Sequence, residues 1–286
     1  MRNRKLCLAL LGTYGGARLN SDEEIRLIGK TGFEGFFTGW AGREYLLNCR
    51  RTAEETGMLY QSVHAPFGNA RKFWHGTEAE ADAALDEQIR CLEDCAAAGV
   101  PIMVAHVFIG FEDHAPNDRG LGYFEKIMIR ARELGVKVGF ENTEGMEYLD
   151  AVMGLAEEYR DAVGFCWDTG HEMCYNYSLD MPGRYPGRLL CTHINDNLGI
   201  RDFGGSITWH DDLHLLPFDG IGDWEGIAAR LKDFDGPLTF ELGVFPKPNR
   251  HENDKYTRLT PEEYLAEAYA RACRVVVLAE RAKAKG

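Results

Sequence analysis

The sequence predicts an α/β fold in which eight parallel strands, each followed by a helix, close into a (β/α)8 barrel. Short apolar runs of strand length alternate with charged amphipathic segments along the chain. The runs are nearly continuous in hydrophobic residues, as in a parallel sheet whose outer face is covered by helices. Many of them end in a His, Asp or Glu, and a closed barrel carries residues so placed to one mouth. The 286 residues, 45% hydrophobic, suffice for one domain of this kind, so residues 1–286 are read as a single barrel.

The first strand is expected over 6–11, followed by a helix to Gly32 that a capping box of Ser21 and Glu24 opens. Strand 34–40 precedes helix 43–57, and strand 59–67 ends in the motif HAPF. Thr77 and Glu80 form a second capping box for an Ala-rich helix running to Gly99. Strand 102–108, helix 123–135, strand 136–143 and helix 146–159 continue the alternation. Strands 163–168 and 189–195 follow, and the Gly- and Pro-rich stretch between them, residues 174–188, is expected to be non-helical. Helix 223–234 leads to strand 237–244, and Thr260, Pro261 and Glu263 supply cap, first-turn proline and capping-box acid for the closing helix. Eight such units favour a closed barrel over an open doubly wound sheet, and the first strand is not followed by a glycine-rich dinucleotide fingerprint. Two long loops, residues 196–222 and 245–260, leave strand ends on the active-site side and suit lids or subunit contacts, so a homo-oligomer is one expectation.

Charge and cysteine usage narrow the partners. A net charge of −13 disfavours a general nucleic-acid or anionic-membrane surface. The apolar runs are too short for a membrane span, and the opening Met-Arg-Asn-Arg-Lys reads as a short basic lead into the first strand. The 8 cysteines lack CxxC spacing, which suits reduced thiols of a cytoplasmic protein and argues against a thiolate zinc site. Lys137, Arg160 and the terminal ERAKAK are read as solvated charge.

Glu141, Asp168, His193 and Glu241 end the fifth to eighth expected strands, so neighbouring strands aim three carboxylates and an imidazole at one point. That donor set suits one divalent ion such as Mn, Mg, Co or Zn. A Lewis acid that polarises a carbonyl makes the adjacent C–H removable by a carboxylate, giving a stabilised enediolate, and a second acid on the opposite face can return the proton. Glu141 and Glu241 are the expected catalytic pair. His64, His106, His171, Asp212 and His214 occupy similar strand-end or loop positions and are expected to contact substrate, with a further metal site or a structural role as the alternatives for His64 and His106. Trp40, Phe67 and Trp74 are candidates to cover the apolar face of a ligand, with ordinary packing as their alternative role. Lys247, Arg250 and Arg258 could meet a substrate phosphate or a neighbouring subunit.

HAPF at 64–67, FEN at 140–142, WDTGH at 167–171, HIND at 193–196 and DLHLLPFDGIGDW at 212–224 together resemble the sugar phosphate isomerase/epimerase family of the xylose-isomerase-like TIM barrels, a superfamily shared with apurinic endonuclease IV. The resemblance spans nearly the whole chain. It implies that Glu141, Asp168, His193 and Glu241 hold one catalytic metal, that the two glutamates flank the substrate, and that His171 reaches a substrate hydroxyl; orienting Asp168 is the other role open to His171. The implied activity is isomerisation or epimerisation of a sugar, sugar phosphate or keto-polyol. A lyase or dehydratase acting on an oxo-sugar or keto-inositol would share the enolate step. His64, His106, Glu141, Asp168, His171, His193, Asp212, His214 and Glu241 also match the ligand set that holds three zinc ions in the endonuclease branch, which implies phosphodiester hydrolysis as a further alternative. A non-catalytic metal-binding protein ranks last.

Overall fold

A computed structural model of the chain describes residues 4–111, 115–201 and 209–285. Eight parallel strands make one sheet: β1 (Leu6–Ala9), β2 (Gly35–Gly39), β3 (Leu59–His64), β4 (Ile102–His106), β5 (Lys137–Glu141), β6 (Val163–Asp168), β7 (Leu189–His193) and β8 (Leu238–Phe240). β1 to β7 pair in sequence order, and β8 pairs with β1. The ring is completed beyond β7, where Ile194 N donates to Thr239 O at 2.8 Å and Glu241 N donates to Ile194 O at 3.2 Å. The register sets His106 beside Glu141 and Asp168 beside His193, so the C-terminal strand ends share one rim.

The strands are shorter at their ends than the apolar runs that encode them, because residues beyond the last ladder bond turn into the rim loops. Inside the barrel, Val104, Cys166 and Cys191 pack together. Gly139 leaves room for them, since a Cβ there would stand 2.9 Å from Cys191 Sγ. The helices lay their apolar faces on the outside of the sheet. Pro261–Lys285 runs against Trp224–Leu231 and Ser21–Thr31, joining the last and first units.

Several local expectations need correction. The first helix, Ser21–Thr31, is capped by Asn20 with Glu23 as its box partner, one residue before the expected Ser21 and Glu24. An amide oxygen caps as well as a hydroxyl. Glu24 is thereby freed to turn inward, where its carboxylate accepts from Leu11 N at 2.6 Å, Gly12 N at 2.9 Å and Tyr14 OH at 2.5 Å. These bonds anchor a small antiparallel ribbon, Thr13–Tyr14 with Ala17–Arg18, that the sequence reading missed. The Thr77 and Thr260 boxes form as expected.

The helix expected to begin at residue 123 begins at Asp118, capped by Asn117. Gly120 and Gly122 weaken the helical signal there, but Gly120 is where the Trp74 indole packs, and a Cβ would fall 2.0 Å from Trp74 Cε3. Trp74 is accordingly a core residue, 2% exposed, with Nε1 donating to Val107 O at 2.8 Å. It does not line the cavity, against its reading as a cover for a ligand face. The stretch 174–188 contains one helical turn, Met181–Arg184, begun by Asp180 and a proline. Arg250 is buried between Asp211 and Glu252, and that pairing removes it as a phosphate contact. Of the expected long loop 196–222, residues 202–208 lie outside the described residues. Among the described residues, no helix is long and apolar enough to cross a membrane.

Candidate active site and metal centre

The rim gathers the strand-end residues into one buried cluster. Glu141, at the end of β5, is the hub: its Oε2 lies 3.3 Å from His64 Nε2, 3.2 Å from His193 Nδ1 and 3.6 Å from His106 Nε2, while Oε1 lies 3.1 Å from His171 Nδ1. His193 Nδ1 is also 2.9 Å from Glu241 Oε2. Asp212 Oδ2 stands 3.0 Å from His214 Nε2 and 3.4 Å from His171 Nε2. The donor atoms of Glu141, Asp168, His193 and Glu241 lie within 4.8 Å of one another, as do those of His64, Glu141 and His193 and those of His171, Asp212 and His214.

Backbone carbonyls orient three of the imidazoles. Nδ1 of His64 faces Ala65 O at 2.8 Å, Nδ1 of His171 faces Asn142 O at 3.0 Å, and Nδ1 of His214 faces Glu241 O at 3.0 Å. A neutral ring that donates through Nδ1 presents Nε2 as a bare lone pair, the form a cation requires. His214 is held with φ at 50°, in the left-handed region that L-residues seldom adopt, and its carbonyl accepts from Gly243 N at 2.8 Å. Phe37 stacks on His193 at 4.6 Å between ring centroids, fixing the imidazole plane from inside the barrel.

Asp168 is set by asparagines to which the sequence reading gave no role. Asn142 accepts from Asp168 N at 2.8 Å and donates to Asp168 O at 2.9 Å, and Asn195 Nδ2 reaches both carboxylate oxygens, at 3.2 and 3.0 Å. Asp168 Oδ1 also caps the short helix Thr169–Cys174 by accepting from His171 N at 2.6 Å, which fixes the spacing of WDTGH. Gly170 is required there, because a Cβ would stand 1.8 Å from Asn195 Oδ1. The asparagines in FEN and HIND were the available signal.

The cluster is electrostatically tight. Burial alone would raise Glu141 and lower His193, yet their contact holds the acid well below and the imidazole well above their ordinary values. Glu241 is likewise held at about 2, against burial, by His193, and His214 is raised to about 9, against burial, by Asp212. Burial pushes Asp168 up to about 6 and His106 down to about 4.

Despite this crowding, Glu141 Oε1 and Oε2, His193 Nδ1 and Nε2, His106 Nδ1 and Asp212 Oδ1 are buried without a hydrogen bond. The close approaches to Glu141 and His193 have ion-pair distances but form no hydrogen bond, whereas His214 Nε2 and Asp212 Oδ2 do bond. Buried polar atoms are normally satisfied, and so many unsatisfied ones in one oxygen- and nitrogen-rich cradle fit a bound divalent cation.

Above the cluster opens a cavity of about 830 Å³, with His64, His106, His171, Asp212, His214 and Glu241 in its wall. Trp40 also lines it. The two glutamates differ: the Glu241 side chain is 25% exposed and faces the cavity, whereas Glu141 is 0% exposed and lies beneath the histidines. Glu144, on the turn after β5, is a wall residue absent from the sequence reading, and burial pushes its carboxyl up to about 7. Its approach to the cavity depends on tertiary packing and left no local signal.

The family described as xylose isomerase-like TIM barrel matches residues 25–274. A relative from Sinorhizobium fredii (strain NBRC 101917 / NGR234), the uncharacterized protein y4fM, is 27% identical over 299 residues, 89% of each chain. Among solved structures, the IOLI protein with a bound zinc atom superposes with a TM-score of 0.70 at 21% identity, covering 95% of this chain and 98% of its own. The 3-keto-D-glucoside 4-epimerase YcjR from E. coli, in its apo form, gives a TM-score of 0.66 at 16% identity, covering 94% and 99%. At these identities the structural likeness is one of fold.

Proposed function

The chain belongs to the xylose isomerase-like TIM-barrel family, and from that premise we propose that it is a divalent-metal-dependent enzyme epimerising or isomerising a sugar or keto-polyol by proton transfer beside a carbonyl. The observation that carries this reading is the cradle of Glu141, Asp168, His193 and Glu241, with its unsatisfied buried atoms, under an open cavity. These four residues would hold the ion. When bound, a divalent cation supplies Lewis-acid polarisation of substrate oxygens.

Glu241 is the residue assigned to remove the proton, since its carboxylate is ionised at neutral pH and reaches the cavity. Glu141, which meets the same His193 nitrogen, is assigned as the second exchanger, with His64 and His106 also against its carboxylate. His171 and His214 face the cavity beside Asp212 and are assigned to substrate hydroxyls. The zinc of the IOLI structure and the epimerase activity named for YcjR support metal and reaction class by analogy. Loss of a β-leaving group from the same enolate would make the enzyme a lyase. The cysteines described are all free thiols, which supports a reducing, cytoplasmic setting.

A second reading, phosphodiester hydrolysis with three zinc ions, is favoured by one observation: eight of the nine candidate ligands, all but His106, fall into three donor groups, two of which share Glu141 and His193. The cavity wall weighs against it, because Glu144, Asp212 and Glu241 line it while Lys247 is the one Lys or Arg among the described lining residues.

The test is solvent-deuterium incorporation into ketoses and 3-keto-glucosides by metal-loaded protein, with Glu241→Gln as control. Exchange lost in the variant is expected; no exchange with any of these substrates sinks the reading. A metal count separates the alternatives, one ion for sugar chemistry and three for hydrolysis, and cleavage of an abasic duplex at low salt would favour the latter.

A further inference from the structure

The cavity has two unlike halves. Its floor carries the histidines and carboxylates, while its outer wall carries the exposed rings of Phe67, Phe111 and Trp209, with Trp40 and the more buried Tyr175 and Leu242 also in the lining. These come from six different strand-to-helix connections, so the barrel converges aromatic and aliphatic groups on one mouth as deliberately as it converges the polar ones. Phe67, Phe111 and Trp209 are 46%, 37% and 54% exposed. Large rings left open to water around a concave site mark a surface that something covers.

Size and charge say what kind of group fits. A volume of about 830 Å³ lies near the top of the roughly 300–1,000 Å³ range of pockets that enclose drug-sized ligands. A free monosaccharide, with about a dozen heavy atoms, would leave the upper half filled with water against the aromatic rings. A phosphate there would meet Glu144, Asp212 and Glu241, with Lys247 as the one Lys or Arg among the described lining residues. That ammonium already lies 5.5 Å from the centre of the Trp209 ring.

We propose that the outer wall is an aglycone subsite: the sugar ring docks on the polar floor, and an uncharged aromatic group attached to it packs between Phe111, Tyr175 and Trp209. The substrate class is then an aryl glycoside in its keto form, rather than a free sugar or a sugar phosphate. This rests on the sugar reading of the floor, but its evidence is the wall.

Binding is tested apart from turnover. Phenyl β-D-glucoside and methyl β-D-glucoside, which lack the ketone, are titrated calorimetrically into the metal-loaded protein, alongside glucose 6-phosphate. Burying the ring predicts phenyl-glucoside affinity about 10- to 100-fold above that of the methyl glucoside. Phe111→Ala and Trp209→Ala should each reduce that ratio several-fold, and the conservative Trp209→Phe should restore most of it. Equal affinities, or tightest binding by the phosphate, overturn the subsite. So does a wild-type dimer that Trp209→Glu splits into monomers, since a second copy would then be what covers the wall. Failure of deuterium exchange with preserved phenyl preference would strike the reaction and leave the subsite standing.

Discussion

Glu141 and Glu241 meet the same atom. Their Oε2 oxygens lie 3.2 and 2.9 Å from His193 Nδ1, although one residue ends β5 and the other follows β8. Two carboxylates and an imidazole can share one point at the bottom of a cavity only if charge is supplied to balance the acids, by protons on the histidines or by a cation.

The first prediction follows from that balance. Cation binding to the folded chain alone stabilises it, by about 2.7 kcal/mol at a free ion concentration one hundred times Kd. Adding Mn, Co or Zn to chelator-treated protein should therefore raise Tm by several degrees, and Glu141→Gln should abolish the shift. An unchanged Tm in the wild type with every ion would count against the metal centre.

Asp168 should depend on Gly170 through Asn195. A Cβ on Gly170 would stand 1.8 Å from Asn195 Oδ1, forcing away the amide that bonds both Asp168 oxygens. Gly170→Ala and Asn195→Ala are expected to weaken metal affinity about 10- to 100-fold, read by competition with a chromophoric chelator. Unaltered affinity in both would separate Asp168 from the site.

Asp196, in the HIND motif, has a structural task. Its carboxylate accepts from Asn197 N at 2.9 Å, Phe218 N at 2.9 Å, Gly222 N at 3.0 Å and Trp224 Nε1 at 3.0 Å, tying both ends of the 196–222 loop to β7. Gly220 gives it space, since a Cβ would fall 2.3 Å from Asp196 Oδ1. Asp196→Ala leaves several donors unpaired and should cost on the order of 3 kcal/mol or more. Urea unfolding measures it, and a loss below about 1 kcal/mol would contradict the anchoring role.

Glu144 sets a pH dependence of stability. Burial raises its carboxyl to about 7 from the ordinary 4.5, with His171 pulling it down and Asp212 pushing it up. Between those two values the unfolded chain releases the proton and the folded chain keeps it, so stability falls as pH rises from about 4.5 to 7 and then levels off. The change reaches on the order of 3 kcal/mol. Glu144→Gln should remove it, so the wild-type-minus-variant stability, followed by chemical denaturation across pH 5 to 8, should decline with pH; a flat difference would show that Glu144 ionises freely.

Legibility in the sequence followed range. The Thr77 and Thr260 boxes were readable because cap and acid lie one helical turn apart. Ser21 and Glu24 carried the same local pattern, but Glu24 has Leu11, Gly12 and Tyr14 as partners from the preceding strand and ribbon. Trp74 resembled a cavity aromatic until Gly120, on a later helix, gave it a place in the core. Neither long-range contact leaves a mark in a short window of residues.

The order of apolar runs and turns by itself determined the eight-stranded parallel barrel, because strand length, helix period and capping are local properties. It also determined which polar residues end strands and so share one rim. Tertiary structure alone decided depth and neighbours on that rim: Glu141 lies under the histidines while Glu241 opens to the cavity, and Glu144 is drawn into a wall that raises its pKa. Those outcomes depend on how closely six loops from different strands pack above the sheet, and burial of a carboxylate exists only once its neighbours have arrived.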